Sequence, residues 1–365
     1  MSDDMDASRP QKLVGIQALR GIASLAVILY HVARHMDQVT ASPLMMRFFQ
    51  PGHAGVDLFF VLSGFIILHV HRIDIGQPDR LRHYVRQRFL RLMPIYWIAL
   101  VLTALALIAA GHMVSSGALL WSATLLPTVQ EPLLGIAWTL QHELIFYMVF
   151  ALLIFSRRLG VTLLVIWTGW IMLAALGLVA AVVPDRITNL YNLEFLAGMG
   201  AAALLASGRI TAPRMMTGAG ATLLLAACVA ESMGVLDGYG PLARLAYGVP
   251  SALLIAGLAA WEQARGMVVP APLRALGEAS YSLYLFQFLG LSAAWQIWQR
   301  LGLDAAAMPL LCYLVLAAAA LIAGLAMSLL VEQPLLARLR RWRNPAYSCR
   351  SASMGLSAAA RRAGK

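Results

Sequence analysis

The chain consists of long apolar stretches that alternate with short polar turns. Most of the stretches have about the 20 residues that a helix needs to cross a lipid bilayer. Glycine, proline, aspartate or arginine usually separates one stretch from the next, as expected for helix ends at a membrane surface. The pattern predicts an all-α, polytopic membrane protein of ten spanning helices, at about 14–33, 54–71, 93–111, 138–156, 160–183, 189–206, 214–234, 242–261, 279–298 and 308–331.

Two segments depart from this regular pattern. The sixth predicted span is the weakest, because Asn189, Asn192 and Glu194 stand in its first turns. Residues 114–127 are apolar but too few to cross a bilayer, so we predict a re-entrant or surface segment there. No internal repeat is visible, which weighs against the inverted halves found in many transporters.

Composition narrows the class of protein. Of the 365 residues, 60% are hydrophobic and 12% are charged, whereas soluble domains average about 25% charged residues. So few charges cannot cover a water-soluble surface of this size, which excludes a soluble enzyme, a secreted disulfide-bonded module and a disordered chain. The three cysteines lie far apart and form no disulfide or metal-binding pattern.

The distribution of positive charge predicts the orientation. The net charge is +11, an excess that membrane proteins keep on the cytoplasmic side and that need not indicate a nucleic-acid site. With the N-terminus in the cytoplasm, 22 of the 28 lysines and arginines fall on the cytoplasmic side. Arg20 lies inside the first span, and the outer residues are Arg34, Arg47, Arg186, Arg244 and Arg300. We therefore predict an inner-membrane protein with both termini in the cytoplasm.

We expect three parts along the chain. Residues 1–13 form a cytoplasmic N-terminal segment, 14–334 the membrane domain, and 335–365 a basic cytoplasmic tail. The tail begins as an amphipathic, membrane-surface helix and is partly disordered beyond it. The chain starts with acidic residues and Arg20 interrupts its first apolar stretch, so no cleavable signal peptide is predicted.

Polar residues within the spans are candidates for function, because they are costly in a bilayer. In the first span, Arg20 and His31 are 11 residues apart, which places them on one helix face about 16 Å apart along the axis. Gln17 and Ser24 lie near the same stripe. Either Arg20 reaches the headgroups and His31 caps the helix, or the stripe lines a cavity in which His31 transfers a proton.

The second and fourth spans each contribute an acidic residue. Asp57 lies near the outer end of its span, and Ser63 with Gly64 lies lower, where small residues also allow close helix packing. Glu143 shares a helix face with Tyr147, four residues later. A zinc protease would require a second histidine where the chain has Phe146, so the pair His142-Glu143 does not predict a metal site.

These residues predict one site. The orientation places His31, Asp57 and Glu143 at a similar depth near the outer side. A general base needs an orienting partner, and lone carboxylates at that depth would be costly. We therefore predict that the three converge on one cavity, with His31 at its centre, Glu143 nearer to His31 than Asp57 is, and Arg20 three turns below.

A basic amphipathic helix enters the third span from the cytoplasm. It carries Arg82, Arg86, Arg88 and Arg91. These arginines either contact anionic lipids or form a clamp for a phosphorylated substrate, since guanidinium groups match phosphate oxygens. A donor with its phosphates at this helix and a long flexible arm would reach the histidine.

At these residues the chain resembles the acyltransferase 3 family of membrane proteins, especially the branch that acylates exopolysaccharides. The resemblance covers about 14–334 and rests on six short motifs that occur in the family's order. They are Arg20-x10-His31, Gly55-Val56-Asp57-Leu58-Phe59-Phe60-Val61-Leu62-Ser63-Gly64-Phe65, Arg88-x-x-Arg91 followed by Pro94-x-Tyr96-Trp97, Trp138-Thr139-Leu140 with Glu143-x-x-Phe146-Tyr147, Ser280-Tyr281-Ser282-Leu283-Tyr284-Leu285, and Glu332-x-Pro334.

The resemblance implies a donor and an acceptor. The donor is acyl-CoA, usually acetyl-CoA, with no tightly bound cofactor. The acceptor is a hydroxyl, often on a sugar of a surface polysaccharide or its lipid-linked precursor. His31 and Arg20 match residues regarded as essential in the family, and Tyr281 stands in a closing motif. Gln287 stands where many relatives have histidine, and His142 occupies a position that is often another residue.

We therefore predict a membrane O-acyltransferase that uses neither metal nor nucleic acid. His31 acts as a general base or forms an acyl-histidine intermediate. Glu143 orients or charge-balances His31, or contacts the acceptor, while Arg20 and the arginines of the basic helix hold the donor. The alternatives are a transporter or flippase for a lipid-linked saccharide, and an assembly scaffold in which His31 and Glu143 tolerate substitution.

Overall fold

The structure is a computed structural model that describes residues 13–40, 43–128, 130–180 and 185–343. Within these ranges the chain is all helical, with no strand. The helices are α1 (Val14–Thr40), α2 (Pro43–Phe49), α3 (Gly55–His71), α4 (Pro78–Ala109), α5 (Ser116–Thr124), α6 (Trp138–Phe155), α7 (Arg157–Ala175), α8 (Tyr191–Ala206), α9 (Pro213–Ser232), α10 (Pro241–Arg265), α11 (Ala271–Arg300), α12 (Pro309–Met327) and α13 (Gln333–Arg343).

Each of the ten predicted spans is a helix in the described part of the chain. Eight stretches there are long and apolar enough to cross a bilayer. Helix α8 is not among them, because it has only 16 residues. Helix α11 has 30 residues but is interrupted by polar and charged side chains. The prediction of an all-α, multi-pass membrane protein is confirmed, and the orientation of the termini stays a prediction.

Three boundaries differ from the predicted ones. Helix α4 begins at Pro78 and continues through Pro94, so the basic amphipathic helix and the third span are one helix. The segment predicted at 114–127 contains the short helix α5, on which Leu120 and Trp121 are exposed. The last helix, α13, covers the beginning of the predicted tail. Residues 1–12 and 344–365, to which we assigned the rest of the terminal segments, lie outside the described residues.

Close helix crossings fix how the bundle is assembled. We call the end at which α1 begins the lower end, and the end at which it finishes the upper end. Helix α1 packs against α3, α10, α11 and α12. On α3 and α8, Gly64 faces the carbonyl of Phe195 and Gly198 faces the carbonyl of Val61, so any Cβ would strike backbone. Glycine permits this approach because it has no side chain.

We expect Gly198→Ala to reduce the stability of the folded protein, because the new methyl group would push α8 away from α3. Overpacking of this kind costs about 1–3 kcal/mol. Gly200, two residues later on the same helix, has open space at its Cβ position and is exposed, so Gly200→Ala is the matched control. Thermal unfolding of the two purified variants in detergent measures the difference. Equal melting temperatures would contradict the tight crossing.

Candidate active site

A cavity of about 420 Å³ lies between α1, α3, α4, α6, α11 and α13. On α3 its wall runs from Val56 to Ile67, a rise of about 16 Å along the helix. Leu336 and Leu339 of α13 contribute to its lower end, and Tyr284 of α11 to its upper end. Its polar lining consists of Gln17, Arg20, Ser63, Gln87, Arg88, Arg91, Thr139, Glu143, Tyr147, Ser280, Tyr281 and Tyr284.

The lower part of this cavity carries excess positive charge. Its walls include the guanidinium groups of Arg20, Arg88 and Arg91 and the single carboxylate of Glu143, which leaves a net charge of +2. None of the three arginines forms an ion pair with a described residue. Arg88 lies beside the rings of Tyr84 and Tyr147, 5.7 and 5.8 Å from their centroids. Arg20 and Arg88 are partly buried and Arg91 is exposed, and cations at a cavity wall without a counterion among the described residues favour binding of an anion.

Glu143 lies deeper than the sequence predicted. Its Oε1 accepts hydrogen bonds from the hydroxyl groups of Ser63, at 3.3 Å, and Tyr147. Ser63 is eight residues after Gly55, the first residue of α3, and therefore about 12 Å below the top of that helix. Glu143 is among the charged groups close to Arg20. It makes no hydrogen bond with His31, so the predicted orienting contact is wrong.

His31 lies above the cavity and is not part of its wall. Its half-buried ring packs between Tyr30 and Phe288, with centroid distances of 4.9 and 4.7 Å. Phe288 is one turn above Tyr284 on α11, a rise of about 6 Å. The Tyr284 hydroxyl bonds with Thr139 Oγ1 at 2.8 Å at the cavity's upper end. The predicted position of His31 at the cavity's centre is therefore wrong.

Asp57 belongs to a separate, buried ionic cluster. It is fully buried and forms an ion pair with Arg244 of α10, whose Nη1 is also 3.6 Å from Glu194 Oε1. The Arg244 guanidinium stacks over the Tyr191 ring, 4.1 Å from its centroid. The prediction that Asp57 lines the reaction cavity is wrong, because α3, α8 and α10 enclose it. Arg244, which we assigned to the outer surface, is its buried partner.

We expect Arg244→Gln to lower the amount of folded protein strongly, because it would leave Asp57 buried without a counterion. Loss of one partner of a buried ion pair costs about 3–5 kcal/mol. The folded fraction should keep the turnover number of the wild type, since the pair lies outside the cavity. Quantification of membrane-inserted protein together with turnover per folded molecule tests both statements. A normal yield with reduced turnover would contradict a structural role.

The remaining predicted residues fall into two groups. Ser63, Tyr147 and Tyr281 line the cavity, and the Tyr281 hydroxyl donates to the carbonyl of Leu92 at 2.7 Å, which ties α11 to α4. Ser24 is buried outside the lining, and its hydroxyl bonds with the carbonyls of Arg20 and Ser280. Its predicted place in the cavity wall is wrong, because it joins α1 to α11.

The predicted donor arginines also separate by helix phase. Arg82 and Arg86 are exposed and do not line the cavity, whereas Arg88 and Arg91 do. Residues two apart on a helix differ by about 200° around the axis, so Arg86 points away from the face that Arg88 occupies. The prediction that Arg82 and Arg86 belong to the donor site is therefore wrong.

The two positions that depart from the family pattern are both buried away from the cavity. His142 Nδ1 is 2.9 Å from Asn192 Oδ1, and its ring packs among Phe60, Trp138 and Tyr191. Gln287 donates to the carbonyl of Tyr284 at 2.9 Å within its own helix. The bond to His142 also explains why the polar residue Asn192 is tolerated in α8.

Sequence reasoning missed several residues of this region. Tyr284 stands in a recognised motif, but nothing in the sequence marks its hydroxyl as the upper boundary of the cavity. His71 and Asp74 lie at the lower end of α3, where His71 ends the predicted span and Asp74 follows it, and neither was among the predicted site residues. Glu231 pairs with His53 at 2.9 Å and accepts from Tyr247, a second buried contact in the upper half.

Comparison with known proteins identifies the family. The sequence model of the acyltransferase 3 family, described as an acyltransferase domain, matches residues 13–329. The exopolysaccharide production protein ExoZ of Rhizobium meliloti (strain 1021) is 32% identical over 309 residues, which cover 80% of this chain and 92% of ExoZ. No solved structure matches the chain significantly.

A shorter match extends to another named acetyltransferase. The peptidoglycan O-acetyltransferase OatA of Listeria monocytogenes is 32% identical over 92 residues, 25% of this chain and 13% of OatA. The family match covers most of the chain, and the described residues form the all-helical bundle that the apolar pattern predicted. The chain therefore belongs to the acyltransferase 3 family and is an integral membrane acyltransferase.

Proposed function

We propose that this protein transfers an acyl group, most simply acetyl, from acyl-CoA to a hydroxyl of a sugar. The sugar belongs to a surface polysaccharide or to a lipid-linked saccharide in the inner membrane. One observation carries the proposal: three arginines that form no ion pair with a described residue line the lower part of a cavity whose upper end lies one helix turn below His31. The exopolysaccharide role named for ExoZ supports the choice of acceptor.

The cavity suits the chemistry of the donor. Coenzyme A carries a diphosphate and a 3′-phosphate, and arginine forks bind such groups in bidentate fashion. Arg88 and Arg91 provide these forks at the lower end, which we take as cytoplasmic. Phe59, Ile66 and Leu92 supply apolar wall for the pantetheine arm above them. Arg20, placed higher on α1, holds the polar part of that arm or the thioester region.

His31 then performs the proton transfer. A ring nitrogen takes the proton of the acceptor hydroxyl while the hydroxyl oxygen attacks the thioester carbon. The new C–O bond forms, the C–S bond breaks, and the coenzyme A thiolate leaves and takes the proton from the imidazolium. In the alternative route, the unprotonated ring nitrogen attacks the thioester carbon, the C–S bond breaks, and the thiolate leaves and takes the proton of the other ring nitrogen. The acceptor oxygen then attacks the acyl carbon, the C–N bond of the acyl-histidine breaks, and the released imidazole takes the hydroxyl proton. His31 makes no hydrogen bond with a described residue, so its unprotonated ring nitrogen is free to accept a proton or to attack.

The acyl end of the donor must pass Tyr284 to reach His31. We take the hydrogen-bonded pair of Tyr284 and Thr139 as the barrier on that path. Rotation of the Tyr284 side chain would open it and admit the thioester. The acceptor approaches His31 from the upper side, where the helix ends of α1 and α11 meet solvent. Donor and acceptor thus enter from opposite faces of the membrane.

Structural analysis of the cell-surface polysaccharide tests this proposal. Polysaccharide from cells that lack the protein should have lost one O-acyl substituent, and wild-type protein should restore that substituent. His31→Ala protein, present at the same level, should not restore it. An unchanged acyl content with a reduced amount of polysaccharide would instead favour a transporter or flippase and would overturn the acyltransfer step.

A further inference from the structure

A buried histidine outside the cavity, His71, contacts Arg88, one of the arginines that line the cavity. His71 is the last residue of α3 and is 3% exposed. Its Nε2 lies 2.8 Å from Arg88 Nη2, and its Nδ1 lies 2.8 Å from Oδ2 of Asp74, in the turn after the helix. The three side chains form a continuous chain from the turn to the cavity wall.

The chemistry of the partners fixes the proton positions along this chain. A guanidinium group can only donate hydrogen bonds, so Nε2 of His71 must accept from Arg88. The imidazole then carries its single proton on Nδ1, from which it donates to the carboxylate of Asp74. A carboxylate that selects the tautomer of a histidine in this way also fixes the ring orientation.

Packing leaves this arrangement little freedom. The His71 ring meets the edge of Tyr84 at a centroid distance of 5.1 Å and lies 6.5 Å from Phe150. Among the described residues, His71 is the only hydrogen-bond partner of Arg88, whose Nε is buried without a partner. A free arginine side chain carries about 2 kcal/mol of rotamer entropy. The bond to His71 removes part of that freedom before an anion arrives.

A neutral imidazole can orient Arg88 without cancelling its positive charge, whereas a carboxylate cannot. A carboxylate beside Arg88 would cancel its charge and compete with any incoming phosphate. His71 orients the guanidinium through a hydrogen bond and leaves its full positive charge directed at the cavity. The carboxylate of Asp74 is kept on the far side of the imidazole ring.

We infer that His71 and Asp74 are positioning residues that hold Arg88 ready to bind a phosphate group of the donor. The inference rests on the proposed function, since it assigns the phosphates of acyl-CoA to this end of the cavity. It adds two residues to the donor site, neither of which lines the cavity itself. We therefore expect substitution of His71 or Asp74 to weaken the use only of donors that carry those phosphates.

The test compares acetyl-CoA with acetyl-pantetheine, which has the same thioester but no phosphate. The lipid-linked saccharide fraction extracted from the producing cells serves as acceptor for purified protein. His71→Phe keeps a ring against Tyr84 but removes the acceptor nitrogen. We expect it to raise the KM for acetyl-CoA about tenfold, the size of one lost hydrogen bond to a charged group. The kcat and the KM for acetyl-pantetheine should stay close to wild type.

Three further variants keep the test decisive. His71→Gln places an amide oxygen where it can accept from Arg88 and should restore much of the affinity for acetyl-CoA. Asp74→Ala frees the His71 tautomer and should raise the same KM more modestly, even if His71→Phe does not fold. Asp74→Asn keeps an oxygen that can accept from His71 Nδ1, so it is the control for Asp74→Ala.

Two results would overturn the positioning role. One is an equal rise in KM for both donors, which would indicate a general structural effect. The other is an unchanged KM for acetyl-CoA in the folded His71→Phe and Asp74→Ala proteins. Either result, obtained while the wild type uses acetyl-CoA, leaves the proposed function intact. A wild type that does not use acetyl-CoA would overturn the proposed function itself.

Discussion

Replacing His31 with alanine should abolish acyl transfer while the protein still inserts in the membrane at its normal level. The half-buried ring contacts Tyr30 and Phe288 and forms no hydrogen bond with a described residue, so its loss removes little packing. Its imidazole is the proton acceptor in the proposed reaction. Loss of a general base lowers rates by about 10²–10⁴-fold. Transfer of labelled acetyl groups by equal amounts of purified protein measures the change.

His35 is the matched control for this variant. It lies one turn further along the same face of α1, is half-buried, and packs against the Trp295 ring at a centroid distance of 4.9 Å. His35→Ala removes a similar ring from the same helix face and should retain most of the activity. Full transfer by the His31→Ala protein would rule out both the general-base and the acyl-histidine routes.

Replacing Arg88 and Arg91 together with glutamine should weaken the binding of acyl-CoA by about a hundredfold, as expected when two hydrogen bonds to charged groups are lost. Both residues line the lower part of the cavity, and no carboxylate in the described part of the chain forms an ion pair with them. Equilibrium binding of labelled acetyl-CoA to the purified protein measures this loss without any acceptor.

Arg82 and Arg86 provide the control pair for this experiment. They stand on the same helix, carry the same charge, and are exposed away from the cavity. The double change Arg82→Gln, Arg86→Gln should leave acetyl-CoA binding near the wild-type value. If both pairs reduce membrane insertion alike and neither alters donor binding, the arginines of α4 serve as lipid contacts and the clamp is absent.

Apolar periodicity was sufficient to predict the helices and much of the cavity. Ten apolar stretches became ten helices in the described ranges, because a bilayer requires each one to be long and internally hydrogen-bonded. Arg20, Glu143 and Tyr147 lie in the cavity because helical spacing places each on the face that its helix turns inward.

Relative depth could not be predicted, because it depends on how neighbouring helices slide against each other. A Cβ on Gly55 would meet the carbonyl of Ala23 and the side chain of Val27. This contact sets the top of α3 beside the middle of α1. His31 is therefore on the order of 10 Å higher than Asp57 along the bundle axis, at about 1.5 Å per residue. The sequence predicts each helix, but it does not predict which glycine packs against the backbone of which neighbouring helix.

Long-range charge pairs were equally beyond the sequence. Arg244 is separated from Asp57 by 187 residues, and nothing local to either residue names the other. Counting charges on the two sides of a membrane treats every arginine near a helix end as exposed. A buried pair violates that assumption, because the two partners satisfy each other inside the bundle.

Transfer from labelled acetyl-CoA by the purified protein tests the proposed reaction most directly. The lipid-linked saccharide fraction from the producing cells is the acceptor, and mild alkali releases acetate from any ester formed. We predict that wild-type protein places label on the saccharide, that alkali releases it as acetate, and that His31→Ala protein places none. Absence of label with folded wild-type protein, or equal label with His31→Ala protein, would contradict an acyltransferase centred on His31.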